Sequence, residues 1–394
     1  MGARTQDSFR IFFEASQAVL SSRSLKDVLK LLVKRSVQAL GVKAGSLRLV
    51  DEKTNRLELV ASHLLSKRYL AKGTLHLDRS IPEVLERKAV VIRDARIDPR
   101  VEYPAEKRAE GICSVLSVPV VAKDRVIGVL RLYTAEPRDF SPEEIEFVSA
   151  LAEMGGLAIA NARVYEEQGV QLSALLEGIG VDLPAQGSAG GKRRFRSFAS
   201  VPADPARSLE QFRALHAVTQ AILATLDSTE ATYLILEKVL ELTGVKGGCV
   251  LLLREATGEL EVVAARGLSE RYLNKGPLHA DRSIQEAVSG APVLVRDART
   301  DPRVEYPDAA AREGIASILS VPIVARERVI GVLRLYSAKP ADFSQDDVAF
   351  LTALAEVAGI ALMNARLYER TRYDLSFWQA TVDYLGAEGK AEKP

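Results

Sequence analysis

Two ordered sets of charged and hydrogen-bonding residues stand out in the 394-residue chain. The first is His76, Asp78, Arg79, Asp94, Arg96, Asp98, Arg100, Glu102 and Tyr103. The second repeats it in order as His279, Asp281, Arg282, Asp297, Arg299, Asp301, Arg303, Glu305 and Tyr306. Arginine forks held beside a loop-covered cleft suit a small carboxylate or phosphate, which they grip through two parallel N–H donors. Alternating Asp and Arg also suit a second role, pairing with one another to pin a loop to the sheet.

Arg131 and Arg334 pose a sharper question, because each sits inside the apolar run Gly-Val-Leu-Arg-Leu-Tyr. In a strand, Arg131 shares a face with Val129 and Tyr133, opposite Leu130 and Leu132. If that face is interior, the guanidinium needs an anionic partner, either a ligand or an internal carboxylate. If it is exposed, the arginine is an ordinary surface residue. The candidate ligand-binding residues are therefore Arg131, Tyr103, Arg100, Arg79 and Cys113 in one set, and Arg334, Tyr306, Arg303 and Arg282 in the other. The implied ligand is a small anion, and no cofactor is assigned.

Other chemistry finds no support in the residues. The four histidines (His63, His76, His216 and His279) form no HExxH pair or Cys/His cluster. No phosphate-binding GxxxxGK[ST] loop, GxSxG elbow or GxGxxG turn occurs, and no catalytic pair or metal site is assigned. The expectation is a protein that is not an enzyme. No recognisable output segment is found within these residues, and the expectation is that the chain acts through a separate signalling output protein.

The elements that position these residues come in two copies. HLDRSI at 76–81 returns as HADRSI at 279–284, DPRVEYP at 98–104 returns at 301–307, and RVIGVLRLY at 125–133 returns at 328–336. Each pair is offset by 203 residues, far beyond the period of a solenoid repeat. A whole domain is duplicated: 5–183 and 208–386, joined by a Pro-, Gly-, Ala- and Ser-rich linker at 184–207. The KRRFR run in that linker reads as a solvated charge cluster. The copies differ at Arg48/Leu251, His63/Arg266 and Cys113/Ala316, so their interiors need not be alike.

Within the first copy, Leu25, Val28, Leu29, Leu32, Val33 and Val37 fall on one helical stripe over 24–40, with Ser24 as N-cap and Gly41 as stop. Alternating strands follow at 46–51 and 56–62. A loop with short helices comes next at about 66–88, then a short strand at 89–94. SVLSVPVVA (114–122) and RVIGVLRLY (125–133) form a hairpin across Lys123-Asp124. Phe140-Ser141-Pro142-Glu143-Glu144 starts a helix expected to run to about 180, with Ser as N-cap, Pro at N1 and acids in the first turn. A tight turn between the last two strands excludes a parallel βαβ series, so the fold class is α+β.

Along the exit helix, Leu151, Ala158, Tyr165, Leu172 and Ile179 recur every seven residues; Leu354, Ala361, Tyr368 and Leu375 repeat the rule. The first half of this seam packs on its own sheet; the half beyond residue 165 has less of its own domain to touch, suits pairing with another helix and predicts self-association, a homodimer or a pairing of the two copies.

This order of elements, with the hairpin, the DFS helix start and an Ala-rich exit helix ending in NAR-x-Tyr, resembles the GAF domain across nearly all of both copies. The resemblance implies an antiparallel five- or six-stranded sheet with flanking helices and a role in ligand sensing or dimerisation. Cyclic-nucleotide-binding members carry an Asn-Lys pair after the last strand, where this chain has Thr134-Ala135 and Ser337-Ala338. Bilin-binding members use a Cys commonly followed by His; Cys113 is followed by Ser114, and its counterpart is Ala316. Methionine sulfoxide-reducing members use several cysteines, whereas Cys113 and Cys249 are the chain's two and occupy non-equivalent positions. The expected role is a tandem small-molecule sensor, the alternative a ligand-free interaction scaffold.

Composition bounds the partners. A balance of 53 Lys+Arg against 52 Asp+Glu gives a net charge of +1, which predicts no nucleic acid or anionic membrane partner. Two cysteines build no disulfide framework and point to a reducing compartment. No uninterrupted apolar stretch of about 18 residues occurs, and MGARTQDSFR lacks the apolar core of a secretory signal and the Ser or Thr of a myristoylation site. The expectation is a cytoplasmic protein.

Overall fold

The structure is a computed structural model. It describes residues 2–178 and 205–391, apart from 22–23, 52, 55, 74, 76–81, 123–124, 224, 226, 255–258, 277–284, 326–327 and 341–342. The chain forms two compact units, residues 1–161 with 201–216, and 162–200 with 217–394. The proposed linker falls almost wholly outside the described residues.

In the first unit, helices α1 (Gly2–Ser21) and α2 (Leu25–Leu40) precede strands β1 (Ala44–Asp51) and β2 (Arg56–His63). The α2 stripe is buried at Val28, Leu29, Leu32, Val33 and Val37. The Ser24 side chain accepts a hydrogen bond from the Asp27 amide at 3.3 Å, and Gly41 closes the helix at φ 59°. Helix α3 (Lys67–Leu70), a 3₁₀ turn (Pro82–Glu86), strand β3 (Val90–Ile92) and helix α4 (Pro104–Glu110) form the loop-rich side. Strands β4 (Val115–Ala122) and β5 (Arg125–Tyr133) lead to the exit helix α5 (Pro142–Gly178). The sheet is five-stranded, ordered β2-β1-β5-β4-β3, and every pairing is antiparallel.

Helix α4 lies in a stretch the sequence leaves as turn. At seven residues, PAEKRAE shows too little apolar periodicity to announce a helix. It opens on Pro104 at N1 and closes on Gly111 in the left-handed region.

The second unit repeats the order: α7 (Ser228–Thr243), β6 (Gly247–Leu253), β7 (Leu260–Arg266), α8 (Glu270–Leu273), α9 (Gln285–Val288), β8 (Val293–Val295), α10 (Pro307–Glu313), β9 (Ser317–Ala325), β10 (Arg328–Ser337) and α11 (Gln345–Ala391). Its sheet, β7-β6-β10-β9-β8, has the same topology. The remaining helix, α6 (Pro205–Leu223), begins in the first unit. There Phe212 meets Phe12 edge-on at 5.1 Å and Phe147 at 5.5 Å, and Arg213 bridges Glu146 at 2.7 Å. Residues 208–216, which the repeat assigns to the second copy, thus pack in the first unit.

The two sheet faces bury different things. Gly45 lies against Val33 and Val37 of α2 and against Leu132, so the Leu130/Leu132 face is the helical one. The exit helices reach this layer through glycine: a Cβ on Gly156 would land on the Val121 carbonyl oxygen, and one on Gly359 on that of Val324. This packing accounts for the apolarity of Pro142–Arg163 and Gln345–Arg366. Both stretches are long and apolar enough to cross a membrane by length and composition, yet 50% and 67% of their most apolar windows are buried. The opposite face is covered by loops and by α3 and α4, over a core containing Leu57, Tyr69, Leu75, Ile112, Val129 and Tyr133.

Candidate functional site

The loop-covered face is where the two open readings of Arg131 and Arg334 separate. Both side chains are interior, with Arg131 5% and Arg334 3% exposed. In the register between β1 and β5, Ser46 lies opposite Arg131 and Ala44 opposite Tyr133. Ser46, Arg48, Arg131 and Tyr133 therefore share one face, and Arg48 and Arg131 are diagonal neighbours, with Cβ atoms about 7–8 Å apart in such pairs. A register shift between Leu47 and Arg48 in the β1–β2 pairing sits beside this residue, a distortion that re-aims a side chain.

Arg48 is 7% exposed. Its Nη1 donates to the Leu57 carbonyl at 3.1 Å, while its buried Nε makes no hydrogen bond. The Tyr133 hydroxyl and Ser46 Oγ lie 2.9 Å apart. Above them, the Tyr69 ring stands edge-on to Tyr133 at 6.0 Å, and Lys72 Nζ sits 3.3 Å over the centre of the Tyr69 ring. From α4, Lys107 is 4% exposed and donates from Nζ to the Glu102 carbonyl at 2.7 Å. Tyr103, in the left-handed region at φ 60°, lays its phenol against Gly73, next to Lys72.

Electrostatics follow from this crowding. Burial lowers Lys72 to about 6, and the nearby charges of Lys107, Arg48 and Arg131 add to it. Burial, then Arg131, lowers Lys107 to about 7. Burial and Arg131 also lower Arg48, although Tyr133 and Tyr69 oppose part of that shift.

In the second unit the scaffold is the same and the chemistry differs. Tyr272 meets Tyr336 edge-on at 5.6 Å, Lys275 Nζ lies 4.0 Å over the Tyr272 ring, and Arg334 faces the Tyr336 ring at 5.8 Å. Cys249 replaces Ser46, with its Sγ 3.5 Å from the Tyr336 hydroxyl; burial pushes its thiol up. Leu251 stands for Arg48 and Ala310 for Lys107, both buried. A cleft of 630 Å³ opens between α8 and α10, lined by Tyr272, Lys275, Glu305, Tyr306 and Arg312 among others.

The turn-region arginines do something else. Arg100 holds Asp98 through Nε at 3.1 Å and Nη2 at 2.8 Å, and reaches Glu83 at 3.3 Å. Arg303 holds Asp301 in the same way and donates to the Leu294 carbonyl at 2.9 Å. Arg96–Asp94 and Arg299–Asp297 repeat the clamp. Each Asp also accepts its arginine's backbone amide, so these pairs fasten turns. Cys113 is buried between backbone bonds to Thr134 and Ala95. Arg79 and Arg282 lie outside the described residues. Among the described residues, no group of three or more His, Cys, Asp or Glu could hold a metal.

Of the candidate residues, the structure brings Arg131 and Tyr103 to one site and Arg334 and Tyr306 to its counterpart, and uses Arg100 and Arg303 elsewhere. Tyr69, Lys72 and Lys107 are the residues the sequence did not single out. Their signal was available in the repeat, where Lys72 recurs as Lys275 but Lys107 becomes Ala310.

The GAF domain family pattern matches the chain twice, at residues 22–160 and 225–363. The chain belongs to the GAF domain family, in tandem, and GAF domains are sensory and regulatory modules. It is 23% identical over 171 residues to the formate hydrogenlyase transcriptional activator of Salmonella typhimurium, covering 42% of this chain and 25% of the activator. The chain thus matches about a quarter of that relative's length. Among solved structures, it resembles the GAF domain of a phosphoenolpyruvate-protein phosphotransferase from Coxiella burnetii (26% identity, 41% of this chain, 98% of that one, TM-score 0.38). The GAF domain of the Acinetobacter phosphotransferase is similar (30% identity, 42% and 97% covered, TM-score 0.36).

Proposed function

We propose that this tandem GAF chain is a non-enzymatic cytoplasmic sensor that binds a small anionic ligand beneath the loops and acts on a separate output protein. The observation that supports it most is a buried arginine at the same place in both units, Arg131 and Arg334, on the loop-covered face. A guanidinium held at this depth by the sheet presents a fixed, planar set of donors that suits a carboxylate or phosphate oxygen pair. Burial of both thiols, Cys113 and Cys249, supports a non-catalytic reading.

Ligand preference for one arrangement of the exit helices shifts a two-state equilibrium by its differential affinity. The part of the heptad seam beyond residue 165, with its counterparts Tyr368 and Leu375, is the surface through which two copies pair, while Leu151 and Leu354 are buried within their own units. Its positions from Tyr165 onward on α5, and Tyr368 and Leu375 on α11, have side chains outside the described set. Light scattering tests the pairing: the chain runs as a homodimer, and Tyr165→Glu with Leu172→Glu yields monomers. A thermal-shift screen against nucleotides, carboxylates and haem tests the sensing. A rise of several degrees, lost in Arg131→Ala/Arg334→Ala, supports it; no rise at millimolar ligand favours the interaction scaffold.

A further inference from the structure

Building on that sensing role, we infer that the first GAF domain alone takes a compact anion of two or more negative charges, a dicarboxylate or a phosphate, among Arg48, Lys72, Lys107 and Arg131. Four cationic side chains from β1, β5, α4 and the segment after α3 converge on one interior face. The acids that act on the two lysines are Glu102 and Glu106, among the described residues. Arg48, Lys72 and Lys107 form no ion pair with a carboxylate among the described residues. Their fixed bonds are to two carbonyls and one aromatic ring. Arg48 in addition keeps a buried Nε without a hydrogen bond, a donor that native packing rarely leaves unsatisfied.

A structural role for this cluster is opposed by the second domain. It builds the same sheet, the same tyrosine pair and the same α10 with Leu251 and Ala310 in place of Arg48 and Lys107. The fold therefore does not require those two cations. Removing them leaves Lys275 and Arg334, half the positive charge. Two guanidinium forks and two ammonium groups match oxyanions, which accept several short charge-assisted bonds at once. A monoanion brings too little charge to hold both lysines protonated, so it engages fewer of the four groups.

The same packing links binding to protons. Among the described residues, the groups acting on Lys72 and Lys107 are each other, Arg48, Arg131, Glu102, Glu106 and the Tyr69 ring, with the Tyr103 phenol beside Lys72. An arriving anion favours the charged lysines and draws protons from solvent.

Calorimetric titration of the full chain at pH 7.5 with succinate, inorganic phosphate, acetate and a neutral diol tests this. One site per chain is expected, at least tenfold tighter for succinate or phosphate than for acetate. Binding weakens at least tenfold in Arg48→Leu/Lys107→Ala, which installs the second domain's own residues. Heats measured in buffers of different ionisation enthalpy should show net proton uptake, a readout that needs no variant to fold. Dianion binding that is unchanged in the double variant, or that takes up no proton, overturns the assignment. Binding of the neutral diol at this site overturns it too but leaves sensing intact. No binding by any probe, with no shift across the broader ligand screen, overturns both.

Discussion

The two GAF domains share topology, register irregularities and an aromatic pair over the sheet, yet their interiors have different charge. The first buries Arg48, Lys107 and Arg131; the second buries Leu251, Ala310 and Arg334 at the same places. A scaffold held by leucines, valines and glycine contacts on the helical face tolerates this, because the exchanged residues all lie on the other face. The packing layer and the charged layer are separate sides of one sheet, so a duplicated domain can change the chemistry of one face without refolding.

The comparison is tested most strongly where the domains are alike. Gly156→Ala and Gly359→Ala each force the exit helix off a strand carbonyl, and each should cost about 1–3 kcal/mol of stability by overpacking. Urea unfolding checks this, and a large difference between the two variants would break the claim of a common scaffold.

The next effect belongs chiefly to the first domain and appears in pH. Lys72 and Lys107 titrate at about 6 and about 7 when folded but near 10.4 when unfolded. Between those values the unfolded chain binds more protons, so stability without ligand rises as pH climbs from about 6 and levels off toward 10. The rise should be at least about 2 kcal/mol, a lower bound for two shifts of this size, and Lys72→Met/Lys107→Met should flatten it. Urea midpoints across pH 6–10 provide the measurement. Stability that falls over this range would contradict the buried cluster.

Backbone strain sharpens the contrast at smaller scale. Leu64 and Arg87 hold φ of 59° and 61°, where their counterparts are Gly267 and Gly290. Leu64→Gly and Arg87→Gly should each stabilise the first domain by about 0.5–1 kcal/mol, read as a higher Tm. The smallest effect is at the turn clamps. Arg96→Ala and Arg299→Ala remove exposed pairs and should each leave the Tm almost unchanged, equally in both domains.

Much of this was legible in the sequence wherever a period or a local rule decides the outcome. The α2 stripe, Ser24 and Gly41 follow from helical spacing and capping, and the 125–133 strand from alternation beside a tight turn. Alternation also put Arg131 with Tyr133, but which face is interior depends on where the helices pack, and no single strand states that. Helix α4 was missed because seven residues carry too little periodicity. Lys72 and Lys107, 35 residues apart, meet only through the fold, and each alone reads as an ordinary surface lysine. Tyr103 carried no mark of its left-handed backbone, since its counterpart Tyr306 adopts φ −126°.

The central claim is that the first domain takes an anion among Arg48, Lys72, Lys107 and Arg131, and the lysine signals themselves test it most directly. NMR of side-chain-labelled lysines, assigned with Lys72→Met and Lys107→Met, should show these two titrating near 6 and 7 in the ligand-free protein. Saturating succinate or phosphate should move both upward by more than one pH unit. Titration of both near 10.4 without ligand, or no movement when the anion binds, would contradict it.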